Sequence, residues 1–334
     1  MLTLGIESSC DDTAAAVLQD ECTLLSSVLT SQDQIHTRFG GVVPELASRC
    51  HLESIVPVVN KALSRAQTTL KKIDLIAVTQ GPGLIGSLLV GFSYAKALSY
   101  VNKTPCVGVD HMAGHILSVF LEEKQPDFPF IALVVSGGTS SIYKAESFTS
   151  FTLLGRTRDD AAGEAFDKIA KLLGFPYPGG PVISREAEAG NHEAIKFPRS
   201  WLEKGSLDFS FSGLKTAVLN HCNREKQKNK PLQIPDICAS FQEAAVEVLV
   251  EKTLLAAAQQ KIKTIVLGGG VSSNPRLRQV MEKRCNEEQK TLYIPRPGYC
   301  TDNGAMIALA GVHAHRHNSD FSYDRDVYCR SLLS

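Results

Sequence analysis

Two histidines four residues apart, His111 and His115 in the run VDHMAGH, are the residues whose type and spacing speak first of chemistry. Val107-Gly108-Val109 reads as the end of a strand, Asp110 as a helix N-cap, and His111–Glu123 as a helix with an apolar stripe at Ile116, Leu117 and Phe120. Side chains at i and i+4 leave a helix from one face, so both imidazoles can reach one ion. Zinc proteases with this spacing need a Glu directly after the first His. Met112 stands there instead, so the general base of such a protease is missing. The rival reading of a bare pair is two helix histidines without a ligand, and a third ligand has to decide between them.

The elements that position this pair repeat along the chain. The first half reads as strands Leu2–Ile6, Thr13–Leu18, Leu24–Leu29, Ile73–Val78 and Cys106–Val109, with helices Val43–Ala66, Ile85–Val101 and His111–Glu123. The second half repeats the order, with strands Phe130–Val135, Ser140–Ala145, Phe151–Leu154, Thr264–Leu267 and Leu292–Ile294. Its helices are Ala161–Leu173, Ile237–Gln260, Pro275–Glu287 and Asp302–His315. Short apolar runs such as IALVV and TIVLGGG suit central buried strands. Three strands followed by alternating helix and strand predict a mixed sheet with an antiparallel edge, covered on both faces.

Each half opens with a strand that runs into a small polar turn, GIESSCDDTAAAV and VVSGGTSSIY. Such corners aim backbone N–H groups at one spot, which suits phosphate, although either turn alone also reads as an ordinary hairpin. Two of them in a duplicated topology place a nucleotide between two lobes. In LGGGVSSN a buried strand meets three glycines, which let backbone approach a flat ligand, and Asn274-Pro275 doubles as a helix start. Residues 176–235 interrupt the second repeat. This insertion carries PYPGGP, DFSFSGLKTAV and a basic run at Arg224, Lys226, Lys228 and Lys230 that reads as a solvated loop.

Composition bounds the answer. The length fits two lobes, and 35 basic residues balance 35 acidic ones, so no bulk field draws in nucleic acid. RNA contact therefore needs a local patch. Nine scattered cysteines with no CxxC pair argue against a disulfide framework and for a reducing cytoplasm. The N-terminus MLTLGIESS lacks the features of a signal peptide. The apolar stretch from Leu84 to Val101 holds Gly86, Ser87, Gly91, Ser93 and Lys96, and reads as a buried helix with small-residue packing rather than a membrane span.

Further motifs run the length of the chain: GIESSCDDTA (5–14), GGVVPELASRCH (40–51), TQGPGLIGSLLVG (79–91), VDHMAGH (109–115), LVVSGG (133–138), DDAAGEAFDKIAKLLGFPYPGGP (159–181), DFSFSGLKTA (208–217), LGGGVSSN (267–274) and CTDNGAMIALAG (300–311). In this order and spacing the chain resembles the bacterial-type tRNA threonylcarbamoyltransferase family TsaD, once classed as O-sialoglycoprotein endopeptidases. The resemblance implies a duplicated α/β, actin-like ATPase fold of the sugar kinase, heat-shock and ribonuclease H-like class, with two mixed-sheet lobes and a nucleotide cleft between them. Residues 1–108 with about 312–334 would form the first lobe and 109–311 the second. It implies transfer of a threonylcarbamoyl group from threonylcarbamoyl-AMP to N6 of adenosine 37 in tRNAs reading codons that begin with A.

By the same resemblance His111, His115 and Asp302 ligate one divalent ion per subunit, Fe2+ first and Zn2+ as the alternative. Two His and a carboxylate leave open positions on an ion, which equally suits a non-haem iron oxygenase, although the nucleotide turns would then have no role. Ser136, Gly137 and Gly138, with Val134 and Val135, would line the adenylate phosphate. Asp167 would hold the ribose, Gly180 would lie against adenosine, and Asn274 would contact the adenine. Asp11 is the expected catalytic carboxylate, and Asp302 is expected to begin the last helix. Expected partners are the anticodon stem-loop of tRNA, the paralogous subunit TsaB and the ATPase TsaE, docked on helices of the first lobe, with no membrane. Gly86, Ser87 and Gly91 would let a partner helix come close. Two features depart from the family pattern. Thr139 replaces a common His, and Arg156 and Arg158 add basic charge that reads as exposed loop or as phosphate or RNA contact. The rival functions are a small-molecule kinase or ATPase of the same fold, which needs no His-His-Asp set, and a metal-free scaffold.

Overall fold

The alternation of apolar residues along the first strand builds the part of the fold that matters most. In the computed structural model, which describes residues 1–203, 205–317 and 322–333, the first half begins with β1 (Leu2–Glu7), β2 (Asp12–Gln19) and β3 (Thr23–Ser31). Short helix α1 (Asp33–His36), long helix α2 (Pro44–Arg65), β4 (Leu75–Gly81), α3 (Ile85–Asn102), β5 (Cys106–Asp110) and α4 (His111–Leu117) follow. The sheet order is β3-β2-β1-β4-β5, antiparallel through β1 and parallel from β1 to β5. Leu4 and Ile6 enter an apolar core shared with Ile55 and Val59 of α2 and Phe92 of α3. Residues 3, 5 and 7 face the other side, as the two-residue strand period requires.

The second half comprises β6 (Phe130–Val135), β7 (Ser140–Ala145), β8 (Phe151–Arg156), α5 (Ala162–Leu172), α6 (Gly179–Ala187), α7 (Ser212–Gln227), α8 (Ile234–Gln259), β9 (Thr264–Gly268), α9 (Pro275–Glu287) and β10 (Thr291–Tyr293). Its sheet order, β10-β9-β6-β7-β8, repeats the first order element for element. The duplication read from the sequence is therefore present. The chain closes with α10 (Pro297–Cys300) and α11 (Gly304–His317).

Against the expected lobes 1–108 and 109–311, the chain divides into compact units of 1–128, 145–152 and 295–334, and of 129–144 and 153–294. Helix α11 packs on β1, β2, β4 and β5, so the His pair and Asp302 share the first unit. Residues 318–321 and 334 of the expected C-terminal segment, and residue 204 of the insertion, lie outside the described residues.

Two local expectations are corrected, and for α3 one of two readings is favoured. The helix from His111 does not run to Glu123. It ends at Leu117 and tightens into a 3-10 turn at Ser118–Leu121, where the Ser118 hydroxyl bonds the His115 carbonyl at 2.9 Å. The basic run of the insertion is not all loop, because Arg224 and Lys226 are on the last turn of α7, one of two helices, α6 and α7, that lie within the insertion. Buried Leu214, Val218 and Cys222 give α7 an inner face, and basic residues near a helix C-terminus complement its dipole. The small residues of α3 are spent inside the unit. A Cβ on Gly86 would meet the Ser48 hydroxyl of α2 at 2.3 Å, and one on Gly91 would meet the Ser8 hydroxyl at 2.3 Å. Ser87 is buried.

All nine cysteines are free thiols, and among the described residues no helix is long and apolar enough to cross a membrane.

The tightest approach in the first unit is between β1 and α11. A Cβ on Gly5 would lie 2.1 Å from the Gly304 carbonyl and 2.6 Å from the Ala308 nitrogen. A Cβ on Gly304 would in turn lie 2.5 Å from the Ala16 nitrogen. Backbone cannot yield as a flexible side chain does, so Gly5→Ala is expected to cost about 2–3 kcal/mol, the upper range for overpacking. Urea denaturation should show a lowered midpoint for the variant; an unchanged midpoint contradicts this packing.

Candidate metal centre and adenylate turns

Asp110 caps α4, accepting the Met112 N–H at 2.9 Å. Every residue of α4 is buried, so packing fixes a helix too short to persist alone. The rings of His111 and His115 sit 4.6 Å apart and nearly perpendicular. Asp302 does not begin α11 as expected. Asn303 takes the cap, its Oδ1 accepting the Met306 N–H at 2.9 Å, which leaves Asp302 just ahead of the helix and turned toward the histidines. Asp302 Oδ1 lies 3.4 Å from His111 Nε2 and 3.1 Å from His115 Nε2. Ligand atoms about 2.1 Å from a tetrahedral ion sit roughly 3.4 Å apart, so the spacing fits one ion. Among the described residues these three form the metal-capable cluster, with one donor atom from each within 4.8 Å of the others.

The donor chemistry agrees. His115 is fully buried, and neither ring nitrogen has an aligned hydrogen-bond partner. An orphaned buried imidazole is costly, and a bound cation relieves it. Burial holds the His115 pKa below its ordinary value, which keeps the ring neutral as a ligand must be. Burial also opposes a charge on His111, but the Glu7 and Asp302 carboxylates outweigh it and raise the His111 pKa well above the ordinary value. For Asp302, burial is outweighed in the same way by His111 and His115, and its pKa is lowered.

Glu7 is the residue the sequence reading missed. It is fully buried, and its Oε2 lies 2.9 Å from His111 Nδ1 and accepts the Thr79 hydroxyl at 2.6 Å. Its Oε1 accepts the Ser9 N–H. This carboxylate fixes the ring so that Nε2 faces Asp302, the arrangement that orients metal-bound histidines. The available signal was a charged residue closing an apolar strand, since a buried charge must be paired.

Asp11 sits on the corner after Glu7. Burial raises its pKa, and the like charge of Asp302 pushes the same way. Asp12 is pushed up to about 8, first by burial and then by Asp302 and Asp11. The corner is held from behind by buried His51, whose Nδ1 meets the Thr13 hydroxyl at 2.8 Å and whose Nε2 lies 3.0 Å from the Cys10 carbonyl. This explains a His at the end of GGVVPELASRCH.

The other expected site residues lie in the second unit. Ser136, Gly137 and Gly138 follow the buried Val134 and Val135 of β6 and abut the N-terminus of α5. The Gly163 N–H bonds the Ser136 carbonyl at 3.3 Å, and a Cβ on Gly163 would meet Gly137 Cα at 2.8 Å. Nothing lies within 4 Å of a Cβ built on Gly137, Gly138 or Gly180. Asp167, later on α5, accepts the Gly179 N–H at 2.7 Å and so ties α6 to α5. Asn274 caps α9 through the Leu277 N–H at 3.0 Å and donates to Gln242 at 2.8 Å.

Arg158 is exposed, as expected, and pairs with Asp208 at 2.8 Å, while Arg156, also exposed, ends β8 with its N–H donated to Asp208. Asp159 gathers Ser210, Phe211 and Ser212, while Asp160 pairs with Lys168 and Lys215. Two of the sequence motifs are thus fastened to each other.

With this geometry in place, the chain can be set beside known proteins. A family model described as TsaD: tRNA N6-adenosine threonylcarbamoyltransferase matches residues 23–309. A protein named tRNA N6-adenosine threonylcarbamoyltransferase from Desulfotalea psychrophila is 60% identical over 336 aligned residues, covering 100% of this chain and 98% of its own. One of the same name from Syntrophus aciditrophicus is 55% identical, covering 93% and 91%. Among solved structures, HypF of T. kodakarensis aligns with a TM-score of 0.64 at 14% identity, over 95% of this chain and 48% of HypF. Component A of (R)-2-hydroxyglutaryl-CoA dehydratase from Acidaminococcus fermentans aligns with a TM-score of 0.56 at 13% identity, over 95% and 99%. At those identities the likeness carries the fold alone, and that fold is the actin-like ATPase fold expected from the sequence.

The role of the metal cluster can be tested directly. Elemental analysis of the purified chain should find transition metal in the wild type and little in His115→Ala. Glu7→Gln should bind about 10–100-fold more weakly, the usual cost of removing a residue that orients a metal ligand. Equal metal content in wild type and His115→Ala would remove the assignment.

Proposed function

From a chain that belongs to the TsaD family of tRNA N6-adenosine threonylcarbamoyltransferases, we propose a division of labour between a metal centre on the first unit and an adenylate site on the second. The protein is a transferase that forms the threonylcarbamoyl modification on adenosine in tRNA, with threonylcarbamoyl-AMP and tRNA as its substrates. The acceptor is N6 of adenosine 37 in tRNAs reading codons that begin with A. The single observation that carries the metal-assisted reading is the convergence of His111, His115 and Asp302, with one donor atom from each within 4.8 Å of the others.

The exocyclic amine of adenine is a weak nucleophile because its lone pair is delocalised into the ring. The donor is therefore an activated mixed anhydride, and adenosine 37 sits in a loop where a base can be splayed out. A divalent ion, Fe2+ before Zn2+, would supply Lewis-acid stabilisation of charge developing on the donor's oxygens. Asp11, lifted by burial, orients the amine and accepts its proton. Glu7 holds the His111 ring and takes no proton from substrate. On the second unit, the Ser136–Gly138 turn and the N-terminus of α5 offer N–H groups to the donor phosphate. Asp167 takes the ribose, and Gly180 and Asn274 take the adenosine. A His-His-Asp set has no task in a small-molecule kinase, so that rival is not favoured. A tRNA-modifying activity assigns the protein to the cytoplasm.

The turn has a clean probe because a Cβ on Gly138 meets no protein atom within 4 Å. Gly138→Val should fold normally and lose most of its adenine nucleotide affinity by calorimetry. Undiminished binding by the folded variant would move the site elsewhere.

The paralogue TsaB and the ATPase TsaE complete the proposal. What supports docking on the first unit is an exposed apolar face on two packed helices. Leu52 and Val56 are 65% and 45% exposed on α2, and Ile85 and Leu89 are 44% and 42% exposed on α3. Leu52 lies one turn beyond Ser48, and Leu89 about one turn beyond Gly86, the point where α2 and α3 touch. Mass spectrometry of nucleosides from tRNA incubated with threonylcarbamoyl-AMP should show little product from the chain alone and sustained turnover with both partners. Leu89→Glu should abolish that rescue without altering metal content. Multiple turnover by the isolated chain would refute the need for partners.

A further inference from the structure

The C-terminal segment of the chain crosses the ends of β4 and β5 where the histidine helix begins. Val327 packs against the apolar core of the first unit, and hydrogen bonds fix the rest of the path. The Tyr323 hydroxyl meets the Ser99 hydroxyl of α3 at 2.9 Å, and Lys96 of α3 donates to the Arg325 carbonyl. Gln80 at the end of β4 is held on both sides. Its side chain donates to the Asp326 carbonyl at 2.6 Å, and its carbonyl accepts the Tyr328 N–H at 3.1 Å. Gly81 is a glycine because a Cβ there would lie 2.2 Å from the Tyr328 carbonyl.

The segment ends on one atom. Asp110 Oδ2 accepts the Tyr328 hydroxyl at 3.1 Å, the Ser331 hydroxyl at 2.9 Å and the Leu332 N–H at 3.2 Å. The other oxygen of the same carboxylate caps α4 through the Met112 N–H. Asp110 therefore joins two things with one planar group: the start of the helix that carries His111 and His115, and the end of the strap. A carboxylate with one oxygen tied to three donors cannot rotate freely, so its second oxygen is held in capping position. The helix has only seven residues and depends on outside anchors for its axis. Metal ligands tolerate errors of only a few tenths of an ångström.

We propose that residues 323–332 form a latch that sets the axis of α4 through Asp110, making Tyr328 and Ser331 positioning residues for the metal centre although neither touches it. The latch itself stands on the hydrogen bonds given, and its effect on metal rests on His111 and His115 being ligands.

The test uses the full chain carrying Tyr328→Phe and Ser331→Ala together, which removes two of the three donors and leaves the cap. Trypsin should then cut after the exposed Arg325 and Arg330 at least tenfold faster than in the wild type. Amide exchange across 111–117 should accelerate at least tenfold while exchange in β1 and β2 stays unchanged. The dissociation constant for Co2+, followed by its visible absorption, should rise about 10–100-fold. Restoring a hydroxyl with Ser331→Thr in an otherwise native chain should reproduce wild-type exchange and the wild-type Co2+ spectrum.

Released segments with unchanged exchange across 111–117 would overturn the proposal, since the strap would then be anchored on the helix without governing it. Unchanged proteolysis in the double variant would also overturn it, because Asp110 would not be what holds the strap. A wild-type chain that binds no Co2+ would remove the metal reading instead, and the exchange measurement would still decide the latch.

Discussion

Glu7 is a carboxylate with no exposure to water, and such a group costs several kcal/mol unless charge and hydrogen bonds surround it. Three groups do so: His111, the Thr79 hydroxyl and the Ser9 N–H. Each comes from a different place, namely the start of α4, the fourth strand and the corner after β1. To satisfy this one carboxylate, β4 must pair beside β1, the corner must turn back on itself, and α4 must present its first residue inward. His111 is pulled toward the charged state by Glu7 and Asp302 together. The pair is therefore an electrostatic anchor and an orienting device at once.

The same strand solves a second problem by omission. Gly5 shares the face of Glu7, and its missing side chain allows the backbone of α11 to rest on the sheet. The segment immediately before α11 carries Asp302 to the histidines, and Asn303 takes the capping role that would otherwise occupy the carboxylate. Close packing on one residue of β1 and ion pairing on the next-but-one thus deliver all three candidate ligands to one point. In the second unit glycine acts differently. Gly163 and Gly269 are needed because backbone lies against them, whereas Gly137, Gly138 and Gly180 face open space. Glycines of the second kind, without a packing reason, are the ones that suit a ligand.

Much of the framework was legible from residue order. Strand period and short apolar runs placed nearly every strand within a few residues, and the repeated order exposed the duplication. Where the reading missed, a contact made by a side chain, local or distant, had taken over. The stretch after Leu117 is as apolar as the helix before it, yet it tightens because Ser118 bonds back to His115. The small residues of α3 suited internal packing or a partner helix alike, and α2 and Ser8 consume them, so the exposed face consists of larger residues such as Leu89. The charge-rich insertion conceals two helices, because its core-facing residues are sparse among polar ones and its apolar partners come from distant segments.

By itself, the sequence determined the class of fold, the spacing that lets two histidines share an ion, the glycine turns suited to phosphate, and, through its motifs, the family. Those properties are local, or recur in order along the chain, so they survive without coordinates. The tertiary structure alone decided that Glu7 orients His111, that Asn303 frees Asp302, and that Asp110 joins the C-terminal strap to the histidine helix. Each of these joins residues between one and more than two hundred positions apart through the direction of a side chain. Direction is set by which groups must be paired once water is excluded, and no spacing rule in the sequence encodes it.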